Sequence, residues 1–176
     1  SYIWNALMSL RRQRPIRLFA TDPWVRLAPF VGSMADVEVI MSRRQEMRAM
    51  LPSAAWRARA RFNHRLDFVD AKTRTHARAR AQEIARQWDA LGETPEFSKQ
   101  YEYKGISFWP VLKQVFDAIV RDNAEDAIAT IENTKALFAL YKVNSVLLFA
   151  STKGYNNLIA HVSENLGIPS IENQHA

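Results

Sequence analysis

Short apolar runs alternate with helix-patterned stretches along this chain, and that alternation limits what it can fold into. The segments "IRLFAT" (16–21), "DVEVIM" (36–41), "LDFV" (66–69), "SVLLFA" (145–150) and "SIEN" (170–173) each have the composition of a strand. Asp22-Pro23 after the first run signals a turn or a helix start, and "SRRQEMRAML" after the second offers Ser42 as a cap and Gln45 to close a capping box. Strands that alternate with helices build parallel βαβ units. The expected fold is therefore α/β, a Rossmann-like, mostly parallel sheet flanked by helices.

The helical pattern is clearest elsewhere. Tyr2, Ile3, Trp4, Leu7 and Met8 make an amphipathic opening, and a helix is expected from Thr73 to about Leu91. A polar, aromatic-rich connection, "GETPEFSKQYEYKG", separates it from "ISFWPVLKQVFDAIV", in which Leu112, Val115, Phe116 and Ile119 follow the helical period. "NAEDAIATIENTKALFALYKV" continues with Ile128, Ile131, Phe138 and Tyr141 on one stripe. The helix "LIAHVSENLG" is expected to bury Leu158, Ile159, Val162 and Leu166; Gly167 suits a left-handed cap, and Pro169 blocks continuation.

With 176 residues, 48% of them hydrophobic, the chain can bury one core, and a single domain over 1–176 is expected. The absence of cysteine excludes a disulfide framework and any thiolate metal site. No apolar run approaches the roughly 18–20 residues of a membrane-spanning helix, and a cytoplasmic location is expected. Lys and Arg exceed Asp and Glu by 24 to 18, for a formal charge of +6, which favours an anionic partner without choosing one.

Candidate ligand-facing residues follow from the strand ends. "SVLLFASTKGYNN" sets Ser151, Thr152, Lys153, Gly154 and Tyr155 between a central strand and a helix N-terminus, where free amides and the helix dipole favour an anion. The spacing matches neither a Walker loop nor a dinucleotide fingerprint. Gln174 and His175 follow the last strand, and a histidine at a strand tip can serve as a general base or donate to phosphate. Asp22 is the best-placed acid, by position alone. His64, His76 and His161 have no metal-ligand spacing. The Arg-rich stretch "KTRTHARARAQEIARQW" suits a solvated helix face as well as a polyanion surface. Only Trp88 within it could stack on a base, which disfavours nucleic acid.

Three stretches give the chain a resemblance to the N-terminal half of GT-B-type glycosyltransferases of bacterial surface and capsular polysaccharide pathways. They are "YEYKGISFWPVLKQVF" (101–116), "KVNSVLLFASTKGYNNLIAHVSENLGIPSIENQHA" (142–176) and "IRLFATDPW" (16–24). The likeness is strongest over the last 80 or so residues. The family pattern ends Gln-His-Gly where this chain has Ala176, a residue with less backbone freedom than glycine.

The resemblance implies one half of a two-domain cleft enzyme, the acceptor-side domain, inactive alone. The implied reaction moves a sugar from a nucleotide-sugar donor, bound mainly by a second domain, to a glycan or lipid-linked acceptor. His175 and Asp22 would be the catalytic candidates. Ser151, Lys153, Gly154, Tyr155 and Gln174 would bind substrate. No cofactor or catalytic metal is implied, and contact with the inner face of an anionic membrane fits such acceptors. The competing readings are a sugar-nucleotide epimerase or glycerophosphotransferase-like domain, and a noncatalytic basic module for RNA or acidic lipid.

Overall fold

In the computed structural model the described residues are 2–10, 14–21, 24–42, 52–63, 67–149 and 154–173. Helix α1 (Tyr2–Ser9) precedes β1 (Ile16–Ala20), α2 (Trp24–Val31), β2 (Val37–Met41), α3 (Pro52–Arg57) and β3 (Arg61–Phe62). Helices α4 (Ala71–Gly92) and α5 (Pro95–Lys99) follow, then the short strands β4 (Glu102–Tyr103) and β5 (Ile106–Ser107) and the long helix α6 (Trp109–Tyr141). The chain continues through β6 (Ser145–Phe149), α7 (Gly154–Asn165) and β7 (Ser170–Asn173). It divides into two compact units, residues 1–68 with 133–176, and residues 69–132.

The first unit holds a five-stranded sheet in the order β3-β2-β1-β6-β7, every neighbouring pair parallel. The chain is thus an α/β protein with a Rossmann-like sheet. Registry shows how the strand sequences divide between the two faces. Leu18, Val39 and Leu147 share a face, as do Phe19, Ile40 and Val146, because paired residues of parallel strands point the same way. On the first face Val37, Val39 and Met41 pack with Trp24, Leu27 and Val31 of α2, with Ala55 of α3 and with Ala58 just after it. Trp24 meets Phe62 edge-on at 5.6 Å. On the second face the Phe19 ring meets Phe138 of α6 at 5.1 Å. Right-handed crossovers account for this division: leaving β1 towards β2 and leaving β6 towards β7 run in opposite directions, so their helices lie on opposite faces.

The second unit is a helical hairpin of α4 and the first part of α6, with α5 and the β4–β5 ribbon at its turn. An aromatic cluster of Trp88, Phe97, Tyr101, Trp109 and Phe116 replaces an aliphatic core. Asp70 caps α4 by accepting the Thr73 N–H at 2.7 Å, and the Trp88 indole donates to Asp117 at 2.6 Å.

Several sequence expectations change. The third strand is Arg61–Phe62, not 66–69, and 67–70 is turn and coil. The helix expected after Ser42 lies outside the described residues. The two helical patterns between 109 and 141 are one 33-residue helix, since neither Gly nor Pro falls between Val111 and Tyr141 to end it. Leu166 is exposed rather than buried, because α7 has already closed into its C-cap: Ile168 N–H reaches Ser163 O and Gly167 N–H reaches Glu164 O.

Candidate functional site

Strand order reverses between β1 and β6, one side leading through β2 to β3 and the other to β7. In an open parallel sheet the flanking helices part to opposite faces at such a reversal, which leaves a crevice outside the carboxyl ends of the strands. Thr21 follows β1 directly. Its N–H donates to Leu147 O at 3.1 Å, and its Oγ1 accepts the Phe149 N–H at 2.9 Å, so a side chain extends the β1–β6 ladder one rung beyond the backbone. Asn156, in the first turn of α7, donates from Nδ2 to the Phe149 carbonyl. The Arg26 guanidinium of α2 lies 4.9 Å over the Phe149 ring. Phe149 is held by its amide, its carbonyl and its ring.

Gly154 opens α7 at this edge, and Tyr155 beside it is half-buried. A Cβ at Gly154 would meet no atom within 4 Å, so packing among the described residues does not demand glycine there. The helix begins on the carboxyl side of β6, where its first amides have no intrahelical acceptor. Asn173 ends β7 in register with Phe149. Asp22, Ser151, Lys153, Gln174 and His175 lie outside the described residues; their nearest described neighbours are Thr21, Phe149, Gly154 and Asn173, the tips of β1, β6, α7 and β7. Thr21, Arg26, Asn156 and Asn173 are absent from the sequence-derived set. Thr21 and Asn173 lie at strand ends and are legible by position, whereas Arg26 and Asn156 sit in the helices that follow β1 and β6 and carry no local signal.

On the α2 side of the sheet a cleft of about 380 Å³ runs beside this edge. Leu18 and Leu147 form its floor, Leu27 and Phe30 its wall, and Arg26 and Asn173 are its polar members. Ile171 shares the face of Leu147 and is 69% exposed, so among the described residues no helix covers this part of the sheet.

A second polar cluster sits under β3. Arg61 and Glu38 are both buried, with Nε donating to Oε1 at 2.7 Å. The guanidinium also donates to the carbonyls of Asn5 and Met8 at the end of α1 and lies 5.1 Å from the Tyr141 ring centroid. Burial raises the Tyr141 phenol pKa, and its hydroxyl donates to Asn63 Oδ1 at 3.1 Å. Every charge here faces a protein partner, and the cluster anchors α1 to the sheet.

Charge is divided unevenly. Residues 1–68 and 133–176 carry 15 Lys and Arg against 7 Asp and Glu, whereas 69–132 carry 9 against 11. The Arg-rich helix α4 belongs to the second set. Its Arg78 faces Glu125 and its Arg86 faces Glu83, while its Asp89 takes Arg121. Arg78 and Arg86 are two of the five basic residues of this solvated helix, and the basic excess of the chain resides with the sheet-bearing residues.

His161 is exposed, 3.7 Å from Glu164. Among the described residues no three His, Cys, Asp or Glu gather as metal ligands, and no helix is long and apolar enough to cross a membrane. No family model, curated protein or solved structure matches the chain.

Proposed function

We propose that the chain is a sugar-transfer domain, the acceptor-side domain of a GT-B-type glycosyltransferase that takes a nucleotide-sugar donor and a glycan or lipid-linked acceptor. The observation that carries this reading is the strand reversal between β1 and β6. It gathers at one edge the chain positions flanking the sequence-derived candidates, with a cleft alongside. Sugar transfer to a hydroxyl needs a base for the acceptor and positive charge or amide dipoles for the departing phosphate. Under this reading His175 and Asp22 supply the first. Lys153, with the amides at Gly154, supplies the second, and Ser151, Tyr155 and Gln174 orient the sugar. The basic excess of the sheet-bearing unit supports an anionic substrate. The acidic balance of residues 69–132, which hold the Arg-rich α4, weighs against RNA as the partner.

The test is release of nucleoside phosphate from UDP-, GDP- and CMP-sugars by the intact gene product, given glycan and lipid-linked acceptors. One donor is expected to turn over, and His175→Ala to lower kcat at least ~100-fold, the usual scale of a general base. Turnover that His175→Ala and Asp22→Ala both leave unchanged removes these catalytic assignments. No turnover with any donor removes the transferase reading.

A further inference from the structure

Helix α1 divides its residues between two opposite faces. Trp4, Asn5 and Met8 lie on one. The Trp4 indole donates to Ala60 O at 2.7 Å, the Asn5 side chain pairs with both the N–H and the carbonyl of Phe62, and Met8 is fully buried. The helix thereby closes the outer edge of β3, the strand that ends the sheet on that side. Ile3, Ala6, Leu7 and Leu10 follow the i, i+3, i+4, i+7 spacing of the other face, and the Leu10 N–H reaches Leu7 O to carry the last turn past Ser9. This second face is in solvent: Ile3 is 82%, Leu7 48% and Leu10 85% exposed. No charged residue interrupts 2–10. The contacts that fold α1 onto the sheet are all made by its first face, so the exposed apolar stripe is available to a contact beyond the fold.

We infer that α1 is a docking helix for an anionic bilayer, lying in the plane of the membrane surface with Ile3, Leu7 and Leu10 turned into it. Charge complementarity selects that occupant. Residues 1–21 contain four Arg, and residues 52–63, which hold the α3 and β3 partners of α1, contain three, with no Asp or Glu in either segment. Arg61 is already neutralised by Glu38. Two others stand beside the helix by the contacts of their chain neighbours. Arg57 follows Trp56, whose half-exposed ring meets Trp4 edge-on at 6.3 Å, and Arg59 precedes Ala60, which takes the Trp4 indole N–H. An apolar helix face flanked by guanidinium groups and an exposed indole matches acyl chains beneath phosphate headgroups. The 15 Lys and Arg against 7 Asp and Glu of the sheet-bearing residues add attraction at longer range. A second copy or another protein is the poorer occupant, because three large side chains on two turns offer far less than the roughly 800 Å² per partner of a standard protein interface. The surface is separate from the β1–β6 reversal, and the inference holds whether or not the chain transfers sugar.

Co-sedimentation of the whole chain with phosphatidylcholine vesicles, made with and without phosphatidylglycerol, tests the inference. Binding to the phosphatidylglycerol vesicles is expected, falling as salt is raised, with little binding to the neutral ones. Leu7→Gln combined with Leu10→Gln, both at exposed positions, is expected to lower the partition coefficient at least ~tenfold with unchanged circular dichroism and melting temperature. Arg57→Gln is expected to lower it about fivefold. A chain that stays in the supernatant beside anionic vesicles overturns the inference. So does binding that the leucine pair leaves unchanged, which would assign the contact to surface charge elsewhere, or equal binding to neutral vesicles. Self-association that the leucine substitutions abolish, with no vesicle binding, would give the stripe to a second copy instead.

Discussion

Arg61 donates from Nε to Glu38 Oε1 at 2.7 Å with both side chains buried, and the same guanidinium closes the carbonyl end of α1. One residue thus joins β2, β3 and α1. Desolvating two charges costs roughly what their attraction returns, so the pair's effect shows when one partner is removed. Arg61→Met is expected to destabilise the chain by about 3–5 kcal/mol, because Glu38 is left buried and unpaired. Glu38→Leu added to Arg61→Met is expected to recover most of that loss. Guanidinium chloride unfolding of the two variants beside the wild type reads both effects.

Thr21 is the side-chain rung that ties β1 to the tip of β6. Thr21→Val keeps the shape and removes the acceptor, which leaves the Phe149 N–H unsatisfied at a cost of about 1–3 kcal/mol. Thr21→Ser keeps the acceptor and is expected to lose less than half as much in the same unfolding measurement. If the carboxyl edge is the reaction site, Thr21→Val also lowers turnover by more than its effect on stability explains.

Three helices end with the same hydrogen-bond pattern. The residue after the cap of α3, α6 and α7 donates back three positions, and the next residue donates back five. The left-handed residue is Gly167 in α7, as its sequence suggested, but Arg59 in α3 and Lys142 in α6, with φ of 50° and 49°. A side chain in that conformation is strained, whereas glycine is not. Lys142 is exposed, so Lys142→Gly is expected to raise stability by up to about 1 kcal/mol, and Gly167→Ala to lower it by a similar amount. Thermal unfolding of both variants checks the pair.

Two aspartates tie the stability of residues 69–132 to pH. The Trp88 indole N–H, and after it Lys113, hold the Asp117 carboxyl below its ordinary pKa; the Thr73 backbone N–H does the same for Asp70. A carboxyl whose folded pKa is depressed adds stability above its unfolded pKa, and that addition fades as pH falls through the folded value. Melting temperature is therefore expected to drop on acidification through and below the ordinary aspartate range. Asp117→Asn, which still accepts from Trp88 but does not titrate, is expected to show a shallower drop. Parallel curves for the two proteins would contradict this assignment.

What the sequence displays and what it hides have separate physical causes. The strands at 16–20, 37–41, 145–149 and 170–173 are visible because each is a short local run bounded by turn residues. β3 is hidden because Arg61 is buried through distant partners, Glu38 23 positions earlier and the carbonyls of Asn5 and Met8 in α1, pairings that leave no local period. Val115 and Ile119 carry the helical period yet face outward, since periodicity tells that a stripe exists and not what covers it. At the candidate site the strand-tip positions are legible. The contacts of Thr21 and Asn156 are not, because the residue they hold, Phe149, lies 128 positions from one of them.

The most direct measurement is hydrogen–deuterium exchange of the intact gene product, with and without UDP-, GDP- and CMP-sugars and the glycan or lipid-linked acceptors of the proposed reaction. Ligand binding at the β1–β6 reversal predicts slowed exchange in the peptides covering 20–22, 149–157 and 173–175, with 69–132 unchanged. Protection confined to other peptides, or none in the presence of a saturating ligand, would contradict a sugar-transfer site at this edge of the sheet.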